Sequence, residues 1–148
     1  MKILDRIRLT SAPAAVLIIR LMVGAVFLSE GIQKFVLPAE VGAGRFAKIG
    51  FSSPEMLAPF VAIFEISCGS LVLLGLYTRM AVIPLIAIMC VALYATKLPI
   101  LLSAGFLKMA HESRTDYSML LGSVFLMIVG AGNASLDAKH GRSAGPYG

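Results

Sequence analysis

Four long apolar stretches, separated by short polar connections, set the pattern of the chain. They run from about Pro13 to Val36, Met56 to Tyr77, Met80 to Leu98 and Asp116 to Asn133. A helix needs about 20 apolar residues to cross a hydrocarbon core, and each stretch is of that order. Membrane-facing strands would be short and alternating, whereas these stretches are long and continuous, so they predict helices. The pattern therefore predicts an all-α integral membrane bundle of four transmembrane helices. It forms one domain over residues 1–137, followed by a flexible cytoplasmic tail over 138–148 rich in Gly, Ser and Pro.

The connections add topology. Tyr77-Thr78-Arg79 is too short for anything but a tight turn, so the second and third helices are antiparallel neighbours. Between Leu37 and Glu55, Phe46, Ile49 and Phe51 alternate with Arg45 and Lys48, which predicts a short amphipathic element lying along the interface. Ser53-Pro54-Glu55 reads as a helix start, with a capping serine, proline at the first helical position and a carboxylate in the first turn. The connection from Leu98 to Arg114 is apolar for a loop. Pro99 argues against simple continuation of the third helix, and a re-entrant dip of about 98–110 into the outer leaflet is the alternative to an ordinary loop.

Lys2, Arg6 and Arg8 before an apolar run resemble a signal peptide. The run is too long for one, contains Arg20 and lacks a small-x-small cleavage site, so it is expected to stay as the first span. With four spans both termini share a side. Lys2, Arg6, Arg8, Arg79, Lys139 and Arg142 then lie on that side, and Arg45, Lys48, Lys97, Lys108 and Arg114 on the other. The balance is nearly even, so the N-terminal cluster sets the orientation and places both termini in the cytoplasm.

Composition supports the membrane reading. Of 148 residues 58% are apolar and only 14% charged, and the mean hydropathy is +0.88. A soluble domain carries about 25% charged residues, and this chain lacks the polar surface to cover itself in water. That excludes an ordinary cytosolic enzyme, a disordered chain and a nucleic-acid module. The net charge of +5 is scattered rather than gathered on one stripe, so nucleic acid is not an expected partner. The lipid bilayer is.

Charges inside the apolar stretches are the most informative feature. At about 100° per residue, Arg20, Gly24, Phe27, Gly31 and Lys34 share one face of the first helix. Glu30 lies beside that face, four residues before Lys34, a favourable ion-pair spacing. Glu65, Gly69 and Val72 supply the matching face of the second helix. A charge at mid-bilayer costs about 2.5 kcal/mol or more, so these faces must meet protein or trapped water. Arg20 is the expected partner of Glu65, with Lys34 second because its long side chain can snorkel to the interface. Arg20, Glu30, Lys34 and Glu65 are read either as structural ion pairs fixing helix register or as a polar site for a proton, ion or small polar ligand.

Other candidates carry less chemistry. Cys68 and Cys90 lie near the middles of adjacent helices, without a C-x-x-C motif, and read as small apolar filler or as a redox pair. His111-Glu112 begins an H-E-x-x-H pattern, but position 115 is threonine, so no metal site is expected. Arg114, Asp116 and Tyr117 read as a solvated helix start or as the outer mouth of a site. Gly130-Ala131-Gly132-Asn133 follows a span rather than opening a helix, which fits helix termination and not phosphate binding. Glycines at 24, 31, 69, 75, 122 and 130 permit close helix packing in lipid.

The order Arg20-x3-Gly24-x2-Phe27-x3-Gly31-x2-Lys34, then Glu65 and Gly69, then Leu73-Leu74-Gly75-Leu76-Tyr77-Thr78-Arg79, and finally Gly130 to Asp137 resembles DoxX-like membrane proteins over residues 15 to 137. The resemblance implies a four-helix protein of the bacterial inner membrane. Members of that family include a subunit of a thiosulfate:quinone oxidoreductase and proteins linked to thiol and oxidative stress. It carries no catalytic residue set across. The expected function is a non-catalytic membrane subunit or scaffold associated with redox or thiol-stress systems, with a membrane or redox protein partner or a second copy of itself. The alternative is a quinone-linked oxidoreductase component, or a small carrier, using the buried polar site between the first two helices. No cofactor motif is evident, and a quinone belongs only to that alternative.

Overall fold

The computed structural model describes residues 12–143, with side chains through residue 140. The basic flank of Lys2, Arg6 and Arg8 lies outside the described residues. The described chain is all-α: α1 (Val16–Val36), α2 (Ala43–Ile49), α3 (Pro54–Leu74), α4 (Thr78–Ala104), α5 (Phe106–Glu112), α6 (Arg114–Val129) and α7 (Leu136–Ser143). Three helices, α1, α3 and α4, are long and apolar enough to cross a membrane. The stretch expected as a fourth span holds α6, of 16 residues, about 24 Å at 1.5 Å per residue and shorter than those three.

Helix α1 packs on α3, α3 on α4, α4 on α6, and α6 back on α1. The residues at the centre come from all four: Val16, Val23 and Phe27 of α1, Cys68 and Val72 of α3, Ala81, Val82 and Leu85 of α4, and Met119 and Leu126 of α6. The outward faces carry Ile18, Met56, Ile83 and Ile128, all exposed. That inversion suits a lipid solvent, where burial of apolar surface is not the force between helices and close fit is. The fit is tightest between α1 and α3. A methyl group on Gly24 would lie 2.9 Å from the Gly69 carbonyl oxygen, and one on Gly69 would lie 2.9 Å from the Leu28 nitrogen.

The α3–α4 turn is built as the spacing of Tyr77-Thr78-Arg79 requires. Gly75, at φ +65°, ends α3: its N–H donates to Val72 O at 3.1 Å and that of Leu76 to Leu71 O at 3.0 Å. This is the paired closure that favours glycine in the left-handed region. Helix α3 begins with Pro54 at its first position and Glu55 in its first turn, as expected. Ser53 makes no capping hydrogen bond and sits at φ +55°, so its expected capping role is corrected.

Two further expectations change. Helix α4 continues through Pro99 to Ala104, so Pro99 does not end it. A proline forfeits one backbone bond, whereas unwinding the helix in lipid would expose several. Residues 98–110 are therefore the end of α4, a break at Gly105 and the short helix α5, with Leu102, Phe106 and Leu107 strongly exposed. Of the stretch expected as a flexible tail, 138–148, residues 138–143 belong to α7, which begins at Leu136 with Asp137 and Ala138 buried, and 144–148 lie outside the described residues.

Candidate functional site

At the end of the bundle bearing α2, Lys34 and Glu65 meet between α1 and α3. Lys34 Nζ lies 2.7 Å from Glu65 Oε2 and 3.8 Å from Glu30 Oε2. The Glu65 side chain is 3% exposed and that of Lys34 is 8%. Lys34 is thus drawn into the protein rather than out to the interface. The reason is geometric. Gly24 faces Gly69 and Gly31 faces Ala62 in an antiparallel pair, and helical side chains lean toward their own N-terminus. Lys34 leans back toward the level of Gly31, and Glu65 leans toward Ala62, so they converge.

Arg20 leans the same way along α1, which carries it away from Glu65, and it does not reach that carboxylate, which corrects the expected pairing. It lies at the opposite end of the bundle, 2% exposed, and donates to four carbonyls. Nε donates to Val72 at 2.9 Å, Nη2 to Leu73 at 2.5 Å, and Nη1 to Ala131 at 3.2 Å and Ala134 at 2.6 Å. Those of Val72 and Leu73 belong to the last turn of α3, where backbone carbonyls lack helical partners and a cation is favoured. Asp137, which the sequence reading did not single out, accepts from Tyr77 N–H at 2.8 Å and Thr78 N–H at 3.1 Å at the start of α4. Arg20 therefore belongs to a structural clasp, not to the polar site of Lys34 and Glu65.

Lys34 and Glu65 line a cleft of about 390 Å³, open on one side and enclosed by α1, α2, α3, α4 and α6. Phe27, Phe60, Ile88 and Ala92 form part of its apolar wall, and Phe46 and Phe51, with ring centroids 5.5 Å apart, close the α2 side. The expected amphipathic character of that connection holds, since Phe46, Ile49 and Phe51 line the cleft while Lys48 is exposed. Thr96, Thr115 and Asp116 add polar groups from α4 and α6.

Of the expected outer mouth, Asp116 alone lines the cleft, and Lys97 holds it at 3.0 Å. Arg114 turns away to the His111 ring, 2.7 Å from Nε2, and Tyr117 is 57% exposed. Lys97 was missed as a participant. Its signal was available, because a lysine near the end of one helix and an aspartate in the first turn of the helix that returns beside it are suited to pair. Cys68 is buried in the core, Cys90 is exposed, and both are free thiols. Among the described residues no group of three His, Cys, Asp or Glu side chains is placed to hold a metal ion.

The DoxX family model matches residues 15–98. The chain is similar to the uncharacterized membrane protein Rv3486 of Mycobacterium tuberculosis (strain ATCC 25618 / H37Rv), at 49% identity over 138 residues, covering 89% of this chain and 85% of the relative. No solved structure matches. The matched segment spans α1, α3 and most of α4, and so includes Arg20, Glu30, Lys34 and Glu65. The chain is a membrane protein and belongs to the DoxX family.

Proposed function

We propose that the chain is a non-catalytic, membrane-embedded binding protein that holds a small amphipathic ligand in the cleft floored by Lys34 and Glu65. One observation carries this reading: a buried ion pair lies in a cleft of about 390 Å³ whose wall is mostly apolar. Ligand sites fall at about 300–1,000 Å³, apolar with a few placed polar groups. A pair serving only to fix helix register needs no cavity beside it. Ionisable residues within a membrane segment mark ligand or ion sites by default.

In this reading the chain crosses the bacterial inner membrane four times, α6 making the fourth crossing with the help of residues 130–133, and both termini are cytoplasmic. The cleft then opens within the outer half of the bilayer, where an amphiphile partitions before it binds. The protein acts as a membrane subunit or carrier that presents its ligand to a partner. The alternative reading, a quinone-linked component, lays the apolar tail of a quinone along the cleft wall, with the ring hydroxyls of its reduced form donating to Glu65. Thiol exchange has less support, since Cys68 is buried and Cys90 is exposed.

The test is native mass spectrometry of full-length protein extracted in mild detergent. One small amphiphile retained at near-unit stoichiometry is the expected result. Protein that carries only a distribution of bulk lipids, displaced equally by every detergent, would count against a specific site.

A further inference from the structure

Resting on that reading, we infer that the ligand's polar end is a hydrogen-bond donor, an alcohol or an amine, received by Glu65, and not a phosphate. Three carboxylates line the cleft, Glu30, Glu65 and Asp116. The buried cation among the lining residues is Lys34, and its ammonium is shared between two of those carboxylates, at 2.7 Å from Glu65 and 3.8 Å from Glu30. Arg45 also lines the cleft but stands at its exposed rim. Asp116 takes its own cation, Lys97, from outside the lining.

The site thus offers acceptors in excess of donors. Among the described residues Glu65 meets one donor, Lys34 Nζ at 2.7 Å from Oε2, although a buried carboxylate accepts from several. A buried acceptor in that state is costly, and an incoming O–H or N–H relieves the cost. Thr96 Oγ1 cannot serve from within, because it donates to Ala92 O at 2.7 Å along its own helix. A phosphate brings acceptors only, and would have to displace carboxylates from Lys34 while losing its own hydration. The apolar wall of Phe27, Phe60 and Ala92 accepts an alkyl chain whatever the head.

The experiment offers full-length protein, in native mass spectrometry, four probes with one alkyl chain: decanol, decylamine, decyl phosphate and decane. Retention of decanol or decylamine about tenfold above decyl phosphate and decane is expected, the worth of one hydrogen bond to a buried charged group. Which of the two is retained better identifies the donor. The paired variant Lys34→Met/Glu65→Leu keeps the charge balance and should hold all four probes alike, with its helicity and melting checked by circular dichroism. Decyl phosphate retained as well as decanol, or a head preference unchanged in the paired variant, would overturn the inference while leaving the cleft a binding site. No retention of any probe would overturn the binding reading with it.

Discussion

Arg20 and Asp137 bracket one turn from opposite sides. The guanidinium donates to the Val72 and Leu73 carbonyls in the last turn of α3, and the carboxylate accepts from the Tyr77 and Thr78 N–H groups at the start of α4. Each charge sits where the adjoining helix dipole favours it, and Gly75 makes room. A methyl group on Gly75 would lie 2.5 Å from the Arg20 guanidinium carbon. The clasp ties α1, α3, α4 and the segment after α6 at one end, and leaves the other end free to form the cleft. Arg20→Met removes a donor from four carbonyls, of which Val72 keeps the Gly75 N–H, and should cost about 3 kcal/mol or more. Asp137→Asn keeps the acceptor and should cost less than Asp137→Ala. Denaturation in detergent, followed by circular dichroism, checks the order, and a neutral Arg20→Met would remove the clasp from this account.

The α1–α3 contact makes a second prediction. Gly24→Val and Gly69→Val each place carbon against backbone atoms that cannot move aside. Each should destabilise by about 1–3 kcal/mol. Gly50→Ala meets no atom within 4 Å but sits at φ +93°, so its cost should come from backbone strain alone and be about 1 kcal/mol. Melting midpoints of the three variants rank these effects.

The Lys34–Glu65 pair should be strongly non-additive. Glu65→Ala leaves a buried cation without its closest partner and should cost about 3–5 kcal/mol. Lys34→Met should cost a similar amount for the opposite reason. The paired variant Lys34→Met/Glu65→Leu should be milder than either single change, because apolar replacement of both partners removes the desolvation penalty. A double-mutant cycle reads the coupling, and simple additivity would mean the two charges do not interact.

What was legible in the sequence follows from helical period. The face of Arg20, Gly24, Phe27, Gly31 and Lys34 is the face α1 turns to α3, and Glu65, Gly69 and Val72 are its counterpart, all from spacing alone. The pairing across that face was not read correctly because depth was judged by residue count. Arg20 lies level with Val72 and Leu73, about 11 Å along the axis from Glu65, and its side chain leans farther away. The direction rule applied to an antiparallel pair would have chosen Lys34. Pro99 misled because its local cost was set against an ordinary loop rather than against an unwound backbone in lipid. The cleft itself had no sequence signal, since its wall residues are the same Phe, Ile and Ala that face lipid elsewhere.

Single cysteines at Ser53 and Ser143, in a background lacking Cys68 and Cys90, test the crossings. An impermeant thiol reagent applied to intact cells should label position 53 and spare position 143. Labelling at both positions would mean three crossings, with α6 not spanning. Labelling at 143 alone would reverse the orientation.

The binding claim is tested most directly by filling the cleft. Ala92 lines it from α4, whereas the ion pair is carried by α1 and α3, so Ala92→Phe should occupy the space while leaving both charges in place. Wild-type and variant protein, purified in parallel, are compared for the small amphiphile each retains in native mass spectrometry. The expected result is loss of about nine-tenths of the bound molecule in Ala92→Phe, a shift of ~1.4 kcal/mol, with an unchanged melting midpoint. Equal retention by a folded Ala92→Phe protein would contradict the assignment of the cleft as the binding site.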